Sequence, residues 1–147
     1  GRAGAVAAEI KKIEAEFELR QRIADVESDQ ATMEERRLGI GGNNPPEEID
    51  DPETAAQVVV LWDSIAGLKE EVDADEPDAE RVAELIERLG GALKAIIAWC
   101  GRKGDLMVDT TIKWGIPAVG GGYFLVNRAK AEAVLKAAQQ WLPFLAP

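Results

Sequence analysis

The residues of this chain with the plainest chemical potential are carboxylates, and one group of them has the spacing of a calcium loop. Asp73-x-Asp75, with Glu84 at the twelfth position, supplies oxygen ligands at the first, third and last places of such a loop. Pro77 falls where the next oxygen donor belongs, and Asp78 falls where the loop needs glycine for its sharp turn. The segment is therefore read as an acidic turn between helices. Glu47, Glu48, Asp50, Asp51 and Glu53 form a second acidic group. Nothing apolar beside them would drive their pKa values apart into an acid and a base, so they are read as a solvated linker and a helix start. Gly39-x-Gly-Gly and Gly120-Gly-Gly lack the preceding strand and the internal lysine of a phosphate loop.

The rest of the reactive inventory is thin. The chain has no histidine, which removes imidazole acid/base chemistry, Ser-His and Cys-His pairs and the usual metal ligand. Cys100 is the single cysteine, so there is no internal disulfide and no thiolate metal cluster. The expectation is a protein that is not an enzyme, with no catalytic residue, no cofactor and no metal. A formal net charge of −10 argues against general nucleic-acid binding, which needs a continuous basic surface. The charge is uneven, however. From Cys100 to Pro147 the six bases exceed the three acids by about +3, leaving about −13 for the remainder. The opening Gly1-Arg-Ala-Gly-Ala-Val has no apolar core of the kind a secretory signal requires.

The elements that must position these residues are helical. Ala5 to about Arg37 has no proline and no internal glycine, and it carries the i,i+4 pairs Glu16→Arg20 and Glu18→Arg22. Its apolar residues fall on two faces: Val6, Ile10, Ile13 and Phe17 on one, Leu19, Ile23, Val26 and Met33 nearly opposite. One small core cannot bury both, so the helix is expected to reach a second chain or to bend. Gly39 to Asp51, with Asn43-Asn-Pro-Pro46, reads as a linker. Asp51-Pro52-Glu53 has the residue order of a helix start. The stripe Val58, Leu61, Ile65, Leu68, Val72 follows, with Trp62 beside it. A short turn leads to Pro77 and a second stripe of Val82, Ile86, Leu89, Leu93, Ile96 and Cys100. So short a connection predicts an antiparallel hairpin. Gly90-Gly91 weakens the second helix unless another helix approaches closely there.

Inside the basic third lies the longest charge-free apolar run, Trp114 to Val126. At about 13 residues it is short of the roughly 18 to 20 that span a bilayer, and extending it takes in Asp109 and Lys113. Trp114, with Tyr123 and Phe124, stands where interfacial aromatics would, and Ala118 and Gly122 are a small-xxx-small pair suited to close helix contact. Ala129 to Leu142 reads as a helix with basic residues on its polar side, closed by Pro143 and tipped by Trp141, Phe144 and Leu145. Three fates fit this region: association with a membrane, burial against the hairpin, or contact with a partner.

Met33-Glu-Glu-Arg-Arg-Leu-Gly-Ile-Gly-Gly-Asn-Asn-Pro-Pro-Glu47 resembles the opening of many small proteins of bacteriophages and prophages. The match covers about a tenth of the chain, and residues 1–32 depart from it. The resemblance implies a genomic setting, in which holin-like lysis proteins and minor virion components are the analogous small proteins, and it assigns no functional residue.

The sequence thus predicts an all-α chain. Residues 1–38 form a long helix able to oligomerise, 39–51 a linker, 52–100 a helical hairpin and 101–147 a basic, apolar helical segment. The leading expectation is a self-associating phage-type protein whose C-terminal segment meets membrane or partner through Trp114, Ile116, Tyr123, Phe124, Leu125, Trp141 and Phe144. Gly90, Gly91, Ala118 and Gly122 are the expected close helix contacts. The alternative is a helical scaffold or minor virion component that assembles as an oligomer. The expected setting is a bacterial cytoplasm, its inner membrane or a virion, with a homo-oligomer, a membrane surface or partner helices as the contacts.

Overall fold

The computed structural model describes residues 2–37, 47–102, 114–117 and 123–145. The chain is all-α in class, with the long first helix and the helical hairpin in place. Four α-helices are described: α1 (Arg2–Arg37), α2 (Pro52–Asp73), α3 (Ala79–Arg102) and α4 (Arg128–Trp141), the last closed by a 3₁₀ turn over Leu142–Phe144. Three short strands accompany them: β1 (Glu47–Glu48), β2 (Trp114–Pro117) and β3 (Tyr123–Val126).

The hairpin forms where the residue pattern places it, and its ends are held by side chains. Asp51 caps α2 by accepting from the Thr54 N–H at 3.0 Å and the Thr54 hydroxyl at 2.7 Å. Val58, Leu61, Ile65, Leu68 and Val72 are buried along α2, facing Val82, Leu85, Leu89, Leu93 and Ile96 of α3. The second helix starts at Ala79 rather than at Pro77, because Asp78 is its cap: the Asp78 carboxylate accepts from the N–H groups of Glu80 and Arg81. Glu71 closes the corner. Its buried carboxylate accepts from the Asp78 N–H at 2.9 Å and from Arg81 Nη1 at 3.1 Å, so a charged group inside the fold keeps both oxygens paired.

Among the described glycines the tightest surroundings are at Gly67 in the hairpin, where a Cβ would stand 2.8 Å from Leu85 Cδ2. The packing within the chain at Gly90 and Gly91 is looser. A Cβ at Gly90 would meet Leu135 at an ordinary 3.8 Å, and one at Gly91 would meet nothing within 4 Å. Ala118 and Gly122 lie outside the described residues.

The apolar run does not continue as a helix. Trp114–Pro117 and Tyr123–Val126 are antiparallel strands in register, Trp114 opposite Val126 and Pro117 opposite Tyr123, while β1 pairs parallel to β2 on its other side. A helix through this stretch would contain Pro117 and three consecutive glycines, at about 3 kcal/mol for the first and about 1 kcal/mol for each of the others. Extended backbone avoids that cost. Pro117 suits its place, because β1 pairs only with Trp114 and Gly115 and therefore asks nothing of the missing Pro117 N–H. The segment expected as a linker contributes β1, followed by Ile49, which is buried and donates its N–H to the Gly115 carbonyl at 3.0 Å.

The Glu71 corner gives a stability test. Glu71→Ala leaves the Asp78 N–H and one arm of Arg81 without their acceptor and should lower unfolding free energy by about 1–3 kcal/mol in urea titration. Glu71→Gln, which keeps an acceptor oxygen, should cost less.

Candidate functional site

The two apolar faces of α1 have opposite fates. Leu19, Ile23 and Val26 are buried, whereas Val6, Ile10, Ile13 and Phe17 are between 51% and 61% exposed. These four are among the few large apolar side chains exposed in the described residues. At 100° per residue they define one narrow stripe, turned well away from the buried face.

Polar contacts fix where the buried half begins. Arg20 donates from Nε to Asp73 at 3.0 Å and from Nη2 to the Val72 carbonyl at 2.7 Å, gripping the C-terminal end of α2. Further along, Lys69 pairs with Glu27 at 2.9 Å, and Lys130 pairs with Asp29 at 2.9 Å. The Glu27 carboxylate holds the Lys69 ammonium above its ordinary range, chiefly through that hydrogen bond. Rising numbers on α1 meet falling numbers on α2, so the two helices run antiparallel. The cleft that joins Glu18 and Arg22 to Ala133, Ala137 and Gln140 shows the same for α4. Because Arg20 already marks the end of α2, the residues before it run past the hairpin corner. Nearly every side chain from Arg2 to Glu14 is exposed. This free part is about 20 Å long at 1.5 Å per residue.

The charges beside the stripe are of both signs, Arg2 and Arg20 lying next to it on one side. Glu9 and Glu16 lie along one flank and Glu14 along the other.

The C-terminal residues expected at a membrane or partner are distributed differently. Ile116, Leu125 and Trp141 are buried, and Phe124 packs half-buried against the core. Phe144 is half-buried in the 3₁₀ turn. The Phe124 ring lies 6.2 Å from that of Trp62, whose Nε1 donates to the Leu125 carbonyl at 3.0 Å. Trp62 thus pins β3 to α2. Trp114 and Tyr123 occupy paired strand positions, with side chains outside the described ones. No described helix is long and apolar enough to cross a membrane.

Trp141 is fully buried, and its Nε1–H finds no acceptor among the described residues. A donor left in that state forfeits about 1–3 kcal/mol, against which stands the large apolar area the indole buries in the core cluster.

The described residues also contain a cleft of about 430 Å³ between α1 and α2, floored by Ile23, Ile65 and Ala66 with Trp62 beside them. Its rim carboxylates Glu27, Glu70 and Asp73 are held by Lys69, Arg81 and Arg20 respectively. Among the described residues no group of three or more His, Cys, Asp or Glu is placed to hold a metal ion. Cys100 is buried, and burial pushes its thiol up to about 11.

Comparison with protein-family models, curated proteins and solved structures gives no match for this chain. The site therefore rests on its own geometry. Its four residues are not among those the sequence singled out as contacts, although their signal, the two-faced spacing of the first helix, is visible in the sequence.

Two measurements check this description. Trp141→Ala should cost about 3–5 kcal/mol of stability in denaturant titration, as large aromatic truncations in a packed core do. For Cys100 the neutral thiol is favoured by folding. Its contribution is therefore complete below the ordinary value of 9.0 and is lost as pH rises from there through about 11. The thiol should resist a disulfide reagent near neutral pH in the native protein and react promptly in denaturant.

Proposed function

We propose that this protein is a non-enzymatic helical scaffold that self-associates through the N-terminal half of α1. The observation that carries the reading is the exposed stripe of Val6, Ile10, Ile13 and Phe17 on a helix whose opposite face belongs to the core. Contiguous apolar side chains at helical spacing, offered to water on a projecting element, are the mark of an association surface. The burial of Trp141, Ile116 and Leu125 supports assembly over the membrane-associating alternative, since those side chains already have a protein environment. The occupied carboxylates of the α1–α2 cleft likewise favour a structural role over a catalytic one. The likeness of residues 33–47 to phage openings suggests a setting, that of a minor structural component of a virion or a related assembly.

Four apolar side chains from each of two copies would bury roughly 1,000 Å² in total, at the small end of specific interfaces. Association is therefore expected to be reversible and micromolar.

Sedimentation velocity of the full chain without detergent tests the proposal. The wild type should move from monomer to a defined oligomer as concentration rises through the micromolar range. The Ile10→Glu/Ile13→Glu variant should remain monomeric with an unchanged circular dichroism spectrum. A wild type that stays monomeric up to about 0.5 mM, well above the expected constant, would sink the reading. So would full flotation of the chain with anionic liposomes.

A further inference from the structure

We propose that the contact between copies is an antiparallel pairing of the two α1 helices about a two-fold axis between Lys11 and Lys12. The assembly then closes at two chains and holds two folded bodies at opposite ends of a helical spacer. The inference rests on the self-association proposed above and specifies its partner and geometry.

The spacing of Val6, Ile10, Ile13 and Phe17 is four, three and four residues, which reads the same in either direction. An antiparallel second copy therefore meets the stripe in register, with Val6 opposite Phe17 and Ile10 opposite Ile13. Each outer layer then combines one small and one large side chain, and the two inner layers are alike, so the helices can stay evenly spaced. Parallel pairing would stack Phe17 on Phe17 at one end and Val6 on Val6 at the other, wedging the helices apart.

The charge of the two bodies, rather than that of the seam, favours the same arrangement. Parallel pairing would set Glu9 against Glu14 on both flanks of the seam. Antiparallel pairing sets Glu14 against Ala7 on one flank and Glu9 against Glu16 twice on the other, so like-charged contacts along the seam are equal in number in the two orientations. Antiparallel pairing separates the bodies, whose chains carry a formal −10 each. With the axis between residues 11 and 12, the two Leu19 positions, where each body begins, stand about 22 Å apart along the helix.

The buried face leaves room for this second helix. α2 and α4 occupy the sides of α1 marked by Arg20 and Glu27 on one hand and by Arg22 and Asp29 on the other. The stripe lies on the exposed side of α1, next to the Arg20 flank that meets α2 and farther round from α4. A two-fold contact uses the same patch on each copy and leaves no second patch to extend the chain, so the assembly ends at a dimer. What the protein provides is a bivalent spacer: two copies of one body, held a set distance apart, each free to engage its own partner.

Double electron–electron resonance on full-length Arg2→Cys, spin-labelled at that exposed position, reads the orientation. Buried Cys100 does not compete for the label. Antiparallel pairing predicts a distance of about 30 Å between the two labels, and parallel pairing predicts about 10 Å. A population near 30 Å that disappears with added Ile10→Glu/Ile13→Glu supports the proposal. A population near 10 Å overturns it while leaving self-association intact, as does a sedimenting oligomer larger than two chains. A labelled chain that is monomeric in sedimentation and shows no dipolar coupling overturns both. Binding of a synthetic lysine-flanked amphipathic helix by such a monomer would identify a different, basic partner for the stripe and also counts against a second copy.

Discussion

The body of this protein depends on the seating of Leu19, Ile23 and Val26 between α2 and α4. The α2–α3 hairpin buries its own stripe, but a two-helix unit leaves its outer surfaces wet. α4 supplies a face made largely of alanine, with Ala131, Ala137 and Ala138 buried beside Val134 and Trp141. Alanines let helices approach closely but bury little area each. The branched side chains of α1 provide the missing volume, and Trp141 fills what remains at the end of the junction. Burial of three large aliphatic side chains is worth about 1.5–3 kcal/mol for each relative to exposure. That is a large share of the 5–15 kcal/mol that holds a typical domain together.

The strands answer a different constraint. Their chain segment is rich in glycine and contains a proline, so it cannot join the bundle as a helix, yet its apolar residues need cover. Extended backbone solves this by alternation: successive side chains point to opposite faces, and Ile116 and Val126 reach the core cluster while the ladder satisfies the peptide groups. Trp62 then ties the outer strand to α2 through a single indole hydrogen bond. The sheet is small, and it is stable because it leans on helices rather than on further strands.

Much of this is legible in the residues. The hairpin is readable because its apolar positions recur every three or four residues after plain start signals, Asp51-Pro52 and Pro77, although the second helix begins two residues past the proline, behind its Asp78 cap. The two-faced character of α1 is readable by the same arithmetic. Which face the body would take is not, because that choice depends on α4, whose alanine surface carries no strong pattern. Gly90-Gly91 attracts attention as a doublet, whereas the tightest surroundings among the described glycines fall at Gly67, an isolated glycine whose role depends on Leu85 across the hairpin. The glycine-rich stretch misleads for a related reason. Its apolar run looks like one element when charge alone is considered, and only the breaking power of Pro117 and the glycines divides it in two. Trp141 is legible as important but not as buried, since a tryptophan at a membrane surface and one in a core look alike in sequence.

The continuity of α1 conceals a thermodynamic boundary. Between Leu19 and Val26 its backbone hydrogen bonds can open only if core packing is lost, so they belong to the cooperative unit of the body. Between Arg2 and Glu14 the same kind of hydrogen bond is shielded by almost nothing, and an isolated helix of that length is marginal in water. One unbroken helix therefore contains a segment with the stability of a folded domain and a segment that unravels on its own account. The free half acquires the permanence of the other only when something covers it. A partner seated on the stripe would therefore stabilise the backbone beneath it as well as cover its side chains.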